Sequence, residues 1–228
     1  MRTVRSQSRI PGLVWVAIVL SAYPSDRLSA QAVLEKFSSD NLRPSAIQFD
    51  LGPLGGDQIR GTTAGGVRLD YGFVAPRLRV LLGLSYFRSE LSAEARRRFE
   101  DRLKSVIVDP TQDYTIQLGR ITWSDVAGDL DLQYVMPQGR TVTAYLGVGL
   151  GIHLRHGSGP LINGTFVQDA LNGFTAGLNG TLGAEVGRTR WRLTLDGRGV
   201  VASGLSTLSL RAGLMYRWAG ARGKEKGG

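Results

Sequence analysis

The sequence predicts an all-β fold: an eight-stranded antiparallel up-and-down transmembrane β-barrel with a helical external loop. Three observations predict it. Residues 45–218 divide into segments of about ten residues in which apolar and polar side chains alternate with the period of a strand. The connections between these segments alternate short and long. A leader with the form of a secretory signal peptide stands in residues 1–32.

The leader opens with Arg2, Arg5 and Arg9 and no acid, continues with the apolar run Ile10–Tyr23, and ends at Ala30-Gln31-Ala32. Positive start, short apolar run and small-x-small site place the expected cleavage near Ala32. The run is too short to span a bilayer comfortably, and Pro11 and Gly12 weaken a helix at its start. Residues 33–44 then read as a short periplasmic segment. Over all 228 residues there is no apolar stretch of about 18, so no spanning helix is expected. The absence of cysteine excludes a disulfide framework and a thiolate metal site. A net charge of +9 would suit a nucleic-acid binder, but the basic residues are scattered through alternating segments, so no nucleic-acid partner is expected.

The segments follow in order. Ile47, Phe49 and Leu51 oppose Gln48, Asp50 and Gly52. Val67, Leu69, Tyr71 and Phe73 oppose Arg68, Asp70 and Gly72. Leu78, Val80, Leu82, Leu84 and Tyr86 oppose Arg79, Gly83 and Ser85. Leu130, Leu132, Tyr134 and Met136 oppose Asp129, Asp131 and Gln133. Val142 to Leu154 in steps of two oppose Thr143, Tyr145, Gly147, Gly149, Gly151 and His153. Phe174, Ala176, Leu178, Leu182, Ala184 and Val186 oppose Thr175, Asn179, Thr181 and Glu185. Trp191, Leu193 and Leu195 oppose Arg192, Thr194, Asp196 and Arg198. Leu208 to Trp218 in steps of two oppose Ser209, Arg211, Gly213, Met215 and Arg217. Eight is an even number, as single-chain bacterial barrels have. Connections at Ala75-Pro76, Pro137-Gln138-Gly139 and Gly187-Arg188 are tight. Those at 53–63, 90–120 and 156–173 are long, and 202–207 is modest, so short and long strictly alternate.

Alternation alone also fits a soluble barrel of the lipocalin type, with the apolar face inside. Three features favour the inverted arrangement. The apolar faces are nearly free of charge over the strand centres. Aromatic residues gather at their short-turn ends, as a membrane girdle requires: Tyr71, Phe73, Tyr134, Trp191, Tyr216 and Trp218. Tyr86 and Phe174 suit the opposite girdle. The polar faces balance seven arginines (Arg68, Arg79, Arg155, Arg192, Arg198, Arg211, Arg217) against seven acids (Asp50, Asp70, Asp125, Asp129, Asp131, Glu185, Asp196). An eight-stranded interior is just wide enough for side chains to fill. Facing charges there must pair, since an unpaired buried charge is very costly. The expected lumen is a plug of ion pairs.

The last segment, LSLRAGLMYRW, has apolar residues at every second position before a terminal aromatic: Leu210, Ala212, Leu214, Tyr216 and Trp218. With the seven segments before it, residues 45–218 resemble the small bacterial outer-membrane β-barrels of the OmpA transmembrane-domain, OmpX and OmpW type. The resemblance implies outer-membrane location after export, contact with outer-membrane lipid and lipopolysaccharide, and handling by the barrel-assembly machinery, which reads such a closing strand. The chain departs from that pattern by ten residues after the aromatic, AGARGKEKGG; this basic, glycine-rich tail, 219–228, reads as disordered.

In the longest connection, Ser92–Ile107 reads as a helix, with Ala95, Phe99, Leu103 and Val106 or Ile107 on one stripe and Pro110 beyond its end. Glu94 with Arg98 and Glu100 with Lys104 are favourable i,i+4 pairs. Arg96, Arg97, Arg98, Arg102 and Lys104 form either a solvated face or a docking surface for lipopolysaccharide phosphates. In the next long loop, Leu161, Ile162, Phe166, Val167 and Leu171 either pack under that helix or form a contact patch. Enzymatic signals are thin. His156-Gly157-Ser158 resembles the His-x-Ser of lipid A deacylases, but no acid is placed to orient the histidine. His153 and His156 lack further metal ligands at suitable spacing. No catalytic, metal or cofactor-binding residues are expected. The inward glycines of GVGLGI relieve crowding in the lumen rather than cradle phosphate. The predicted role is structural or one of surface contact through the external loops, with a lipid-modifying enzyme or a narrow conduit for small or apolar solutes as the alternative.

Overall fold

The computed structural model describes residues 42–106 and 119–218, with only the backbone described for 103–106. The leader 1–32, residues 33–41, Ile107, Pro110 and the tail 219–228 lie outside the described residues, as do the side chains of Leu103, Lys104 and Val106.

Each alternating segment forms one strand, because alternation lets one face of a pleated ribbon be apolar and the other polar. The strands are β1 (Leu42–Gly56), β2 (Thr62–Ala75), β3 (Leu78–Glu90), β4 (Thr122–Gln138), β5 (Val142–Ser158), β6 (Gly173–Val186), β7 (Trp191–Ala202) and β8 (Leu205–Arg217). Each pairs with its sequence neighbours, and the ring closes in the order β1-β2-β3-β4-β5-β6-β7-β8. The closing ladder of β1 on β8 is antiparallel and runs from Ala46↔Arg217 to Gly56↔Thr207. The β4–β5 ladder is unbroken from Thr122↔Ser158 to Gln138↔Val142. Closure leaves no strand edge unpaired, which is the condition for a sheet to sit in hydrocarbon.

Two expectations need correction. Short and long connections do not strictly alternate, because β7 and β8 are joined by Ser203-Gly204 alone. Gly204 takes a left-handed conformation (φ 72°) that lets the chain reverse there. The second concerns Phe73. Between Asp70↔Leu81 and Phe73↔Arg79, β2 carries two residues, Tyr71 and Gly72, against Val80 alone. This bulge, with Gly72 at φ 93° and its N–H donated to Asp70 Oδ1, shifts the alternation by one step. Phe73 therefore registers with the inward Arg79, out of phase with Val67 and Leu69, and is half-buried.

Among the described residues, two helices lie in the long connections. The first, α1 (Ala93–Val106), begins where Ser92 Oγ accepts the Ala95 N–H at 3.1 Å, an N-cap, and carries Glu94 in its first turn. The second, α2 (Phe166–Leu171), is a short helix that the sequence pattern did not announce. Phe99 of α1, Leu171 and Val167 of α2, and Leu91, Ile121 and Ile162 form one apolar cluster. Ile162 and Val167 are thus buried, whereas Leu161 and Phe166 of the same loop are exposed.

Candidate functional site: the lumen and its mouth

The faces of the barrel are sharply divided. Leu150, Leu182 and Leu208 on the outside are 62%, 63% and 70% exposed, while Arg79, Asp131 and Glu185 on the inside are at most 1% exposed. This is the reverse of a lipocalin-type barrel, whose apolar side chains line the cavity. A continuous belt of exposed leucine, valine and isoleucine around a closed sheet is a lipid-facing surface. The protein is a membrane-type β-barrel. Tyr134, Trp191 and Trp218 stand exposed at the short-turn end, with the Trp191 and Tyr216 rings 4.8 Å apart and Tyr216 and Trp218 6.3 Å apart. Tyr71 is half-buried beside the bulge, and Tyr86 and Phe174 are exposed towards the long-loop end.

All fourteen charges that the alternation places inward make ion pairs inside the barrel. Nearest the short turns, Glu185 meets Arg79 at 2.5 Å, Arg217 at 3.1 Å and Arg192 at 3.3 Å, while Asp70 meets Arg79 at 3.4 Å and Arg217 at 3.8 Å. Arg79 also donates from Nε and Nη2 to Gln133 Oε1 and lies over the Tyr145 ring. At mid-height Arg68 bridges Asp50 at 3.4 Å and Asp196 at 3.2 Å, and Asp50 also takes Arg211 at 3.1 Å. Arg198 bridges Asp129 at 2.9 Å and Asp131 at 3.0 Å. Towards the mouth, Asp125 holds Arg155 at 3.3 Å and His153 Nδ1 at 3.0 Å. Several of these pairs cross the lumen instead of joining neighbouring strands: Arg68 of β2 with Asp196 of β7, Arg198 of β7 with Asp129 and Asp131 of β4, and Arg79 of β3 with Glu185 of β6. Their guanidinium groups therefore reach into the lumen.

Glycine makes the room. Asp129, Asp131 and Gln133 of β4 register with Gly151, Gly149 and Gly147 of β5. A Cβ at 149 would collide with the Asp131 carboxylate and approach Leu130 O to 2.6 Å; at 151 it would meet Asp129 Oδ1 at 2.6 Å, and at 147 the Gln133 Cγ at 2.6 Å. The GVGLGI segment is a recess for the β4 polar side chains.

Above the charges, the lumen phase turns apolar. Leu54, Ile59, Ala64, Phe87, Trp123 and Leu205 are buried together at the long-loop end. Sequence reasoning did not assemble this cluster, although Trp123 stands two residues before Asp125, in the same phase. Outside, the α1 arginines are partly engaged: Arg98 pairs with Glu94 at 3.0 Å, and Arg96 donates to Gly119 O at 3.1 Å and lies 4.0 Å from Glu100. The two histidines do not share a site. His153 is buried in the lumen, whereas His156 is exposed on the opposite face of β5 with Ser158 on its own side.

No family model matches the chain, and no curated protein matches it. Among solved structures, Neisserial surface protein A is similar at 14% identity, covering 76% of this chain and 96% of that one, with a TM-score of 0.49. The N-terminal β-barrel domain of Pseudomonas aeruginosa OprF is similar at 12% identity, covering 77% and 98%, with a TM-score of 0.45. Ail, the attachment invasion locus protein of Yersinia pestis, is similar at 9% identity, covering 77% and 97%, with a TM-score of 0.44.

Proposed function

We propose that this protein is a bacterial outer-membrane barrel with a closed, non-conducting lumen, whose work is done by what it holds above the membrane. The observation that carries the reading is the set of cross-lumen ion pairs, Arg68–Asp196, Arg198–Asp129 and Arg79–Glu185. A water-filled pore keeps its charges on the wall. Here they reach across and neutralise one another, which rigidifies the barrel and leaves ions no continuous path. The exported leader expected in residues 1–32 and the lipid-facing belt support the outer membrane as its location, reached through the barrel-assembly machinery. The platform formed by α1 and α2, with its exposed Arg97, Leu161 and Phe166, is the surface offered to partners and to lipopolysaccharide phosphates. The role this supports is structural or one of surface contact through the external loops.

Conductance tests it. Barrel refolded into planar bilayers, with insertion verified by the heat-dependent gel mobility of the same preparation, is expected to give no current steps above the bare membrane. A steady ohmic current from inserted protein overturns the closed lumen.

A further inference from the structure

Beyond a closed barrel with a contact platform, we infer that the mouth carries a binding site for a small apolar monocarboxylate, anchored by Arg155. A cavity of ≈ 260 Å³ lies between the helices and the barrel rim. Leu91, Phe99 and Leu171 are among its apolar lining residues, and Trp123, Arg155 and Thr175 belong to its lining as well. Exposed residues Ala170, Asn172, Gly173 and Gly204 also line it, so it opens to solvent on the long-loop side.

Arg155 is the feature that points to a ligand. Its side chain is 5% exposed and is held from three sides. Nε donates to Asp125 Oδ2 at 3.3 Å, Nη1 donates to Ser203 O at 2.6 Å, and the guanidinium carbon stands 5.3 Å from the centre of the Trp123 ring. Nη2 has no partner. The Trp123 indole N–H and the Thr175 hydroxyl, on residues that line the same cavity, have none either among the described residues. Buried donors left in this state are costly, and three of them on residues that line one cavity favour a ligand whose acceptor atoms reach in to them. A carboxylate has acceptor positions for several such donors, and bonds to it from a guanidinium are charge-assisted. A dianion such as phosphate is less suited, because Asp125 already shares Arg155 and repels a second negative charge. The cavity is smaller than a drug-sized site and its lining includes Phe99, Leu91 and Leu171, which suits a short aliphatic or aromatic body for the rest of the ligand.

The test uses the barrel in lipid nanodiscs with its tryptophans replaced by 5-fluorotryptophan, so that fluorine NMR reports Trp123 separately from Trp191 and Trp218. The probes are hexanoate, 3-phenylpropionate and the neutral hexanamide. The carboxylates are expected to shift the Trp123 resonance saturably while leaving the other two in place, with hexanamide at least about tenfold weaker, the worth of one charge-assisted bond over a neutral one. Arg155→Gln is expected to abolish the shift. Because it also strips Asp125 of its partner, Ala170→Phe, which fills the cavity from an exposed wall position, is the second variant and is expected to abolish the shift with gel mobility unchanged. Equal shifts at all three tryptophans, hexanamide binding as well as hexanoate, or undiminished binding to folded Ala170→Phe would each overturn the site.

Discussion

At the scale of single residues, the interior depends on groups that have no slack. Glu185 is fully buried and is the common partner of Arg79, Arg192 and Arg217. Glu185→Ala leaves those cations with only Asp70 among the seven lumen acids close by, and breaking a buried ion network from one side costs about 3–5 kcal/mol. Urea unfolding of barrel folded into vesicles is expected to show a loss of that size, and a loss below about 1 kcal/mol would mean that water solvates the network freely. The inward glycines make a sharper comparison. Gly149→Ala drives a methyl into the Asp131 carboxylate, whereas Gly180 on the lipid face of β6 has nothing within 4 Å of an added Cβ. The first substitution is expected to cost about 1–3 kcal/mol. The second is expected to change stability by no more than about 0.5 kcal/mol. Equal effects in the same unfolding assay would contradict the division into a crowded inside and an open outside.

At the scale of elements, strand and loop obey different rules. Leu146 sits on β5 in the lipid-facing belt, 52% exposed. Leu146→Arg is expected to destabilise by about 2–4 kcal/mol in a bilayer, and an effect near zero would mean that β5 is turned the other way. The helix α1 is held by a few apolar contacts through Phe99 to the cluster of Ile121, Ile162 and Val167. Phe99→Ser is expected to speed trypsin cleavage at the α1 arginines severalfold while the strands stay resistant, because Phe99 anchors the helix to the cluster and takes no part in the strand ladders. Unchanged cleavage would place the anchor elsewhere. The same division governs what was legible in the sequence. Strands were legible because a period of two is forced on any sheet with unlike faces, so Asp129 and Asp131 could be read onto one side without knowing their partners. The partners were not legible: Arg68 reaches Asp196 across 128 residues, and that meeting depends on strand stagger and tilt. Phe73 was misread because one glycine at positive φ shifts the count. The mouth cluster was missed because apolar residues in the lumen phase look like lapses in the pattern until Leu54, Phe87, Trp123 and Leu205 are brought round the ring together.

At the scale of the whole molecule, closure is what makes the parts interdependent. Each strand is hydrogen-bonded on both sides, with β1 returning to β8, so no edge is available for a denaturant to peel. Removing one strand would break two ladders and the cross-lumen pairs together. Inside, the ties from β2 to β7, from β3 to β6 and from β4 to β7 join strands that are not neighbours in the ring. Unfolding therefore has to be concerted, with a high barrier, since local opening exposes paired charges and unpaired backbone at once. Detergent can replace lipid around the leucine belt without disturbing any of these contacts, because the belt asks only for hydrocarbon. Folded barrel is thus expected to stay folded in sodium dodecyl sulfate at room temperature and to unfold when boiled, giving two mobilities on one gel. The double variant Arg68→Ala/Asp196→Ala, which removes both ends of one cross-lumen tie and leaves Asp50 with Arg211 as its remaining partner, is expected to lower the temperature at which the two bands interconvert while keeping both. A single mobility for the parent protein, boiled or not, would refute the closed ring; an unchanged transition temperature in the double variant would show that the hydrogen-bonded wall alone carries the barrier.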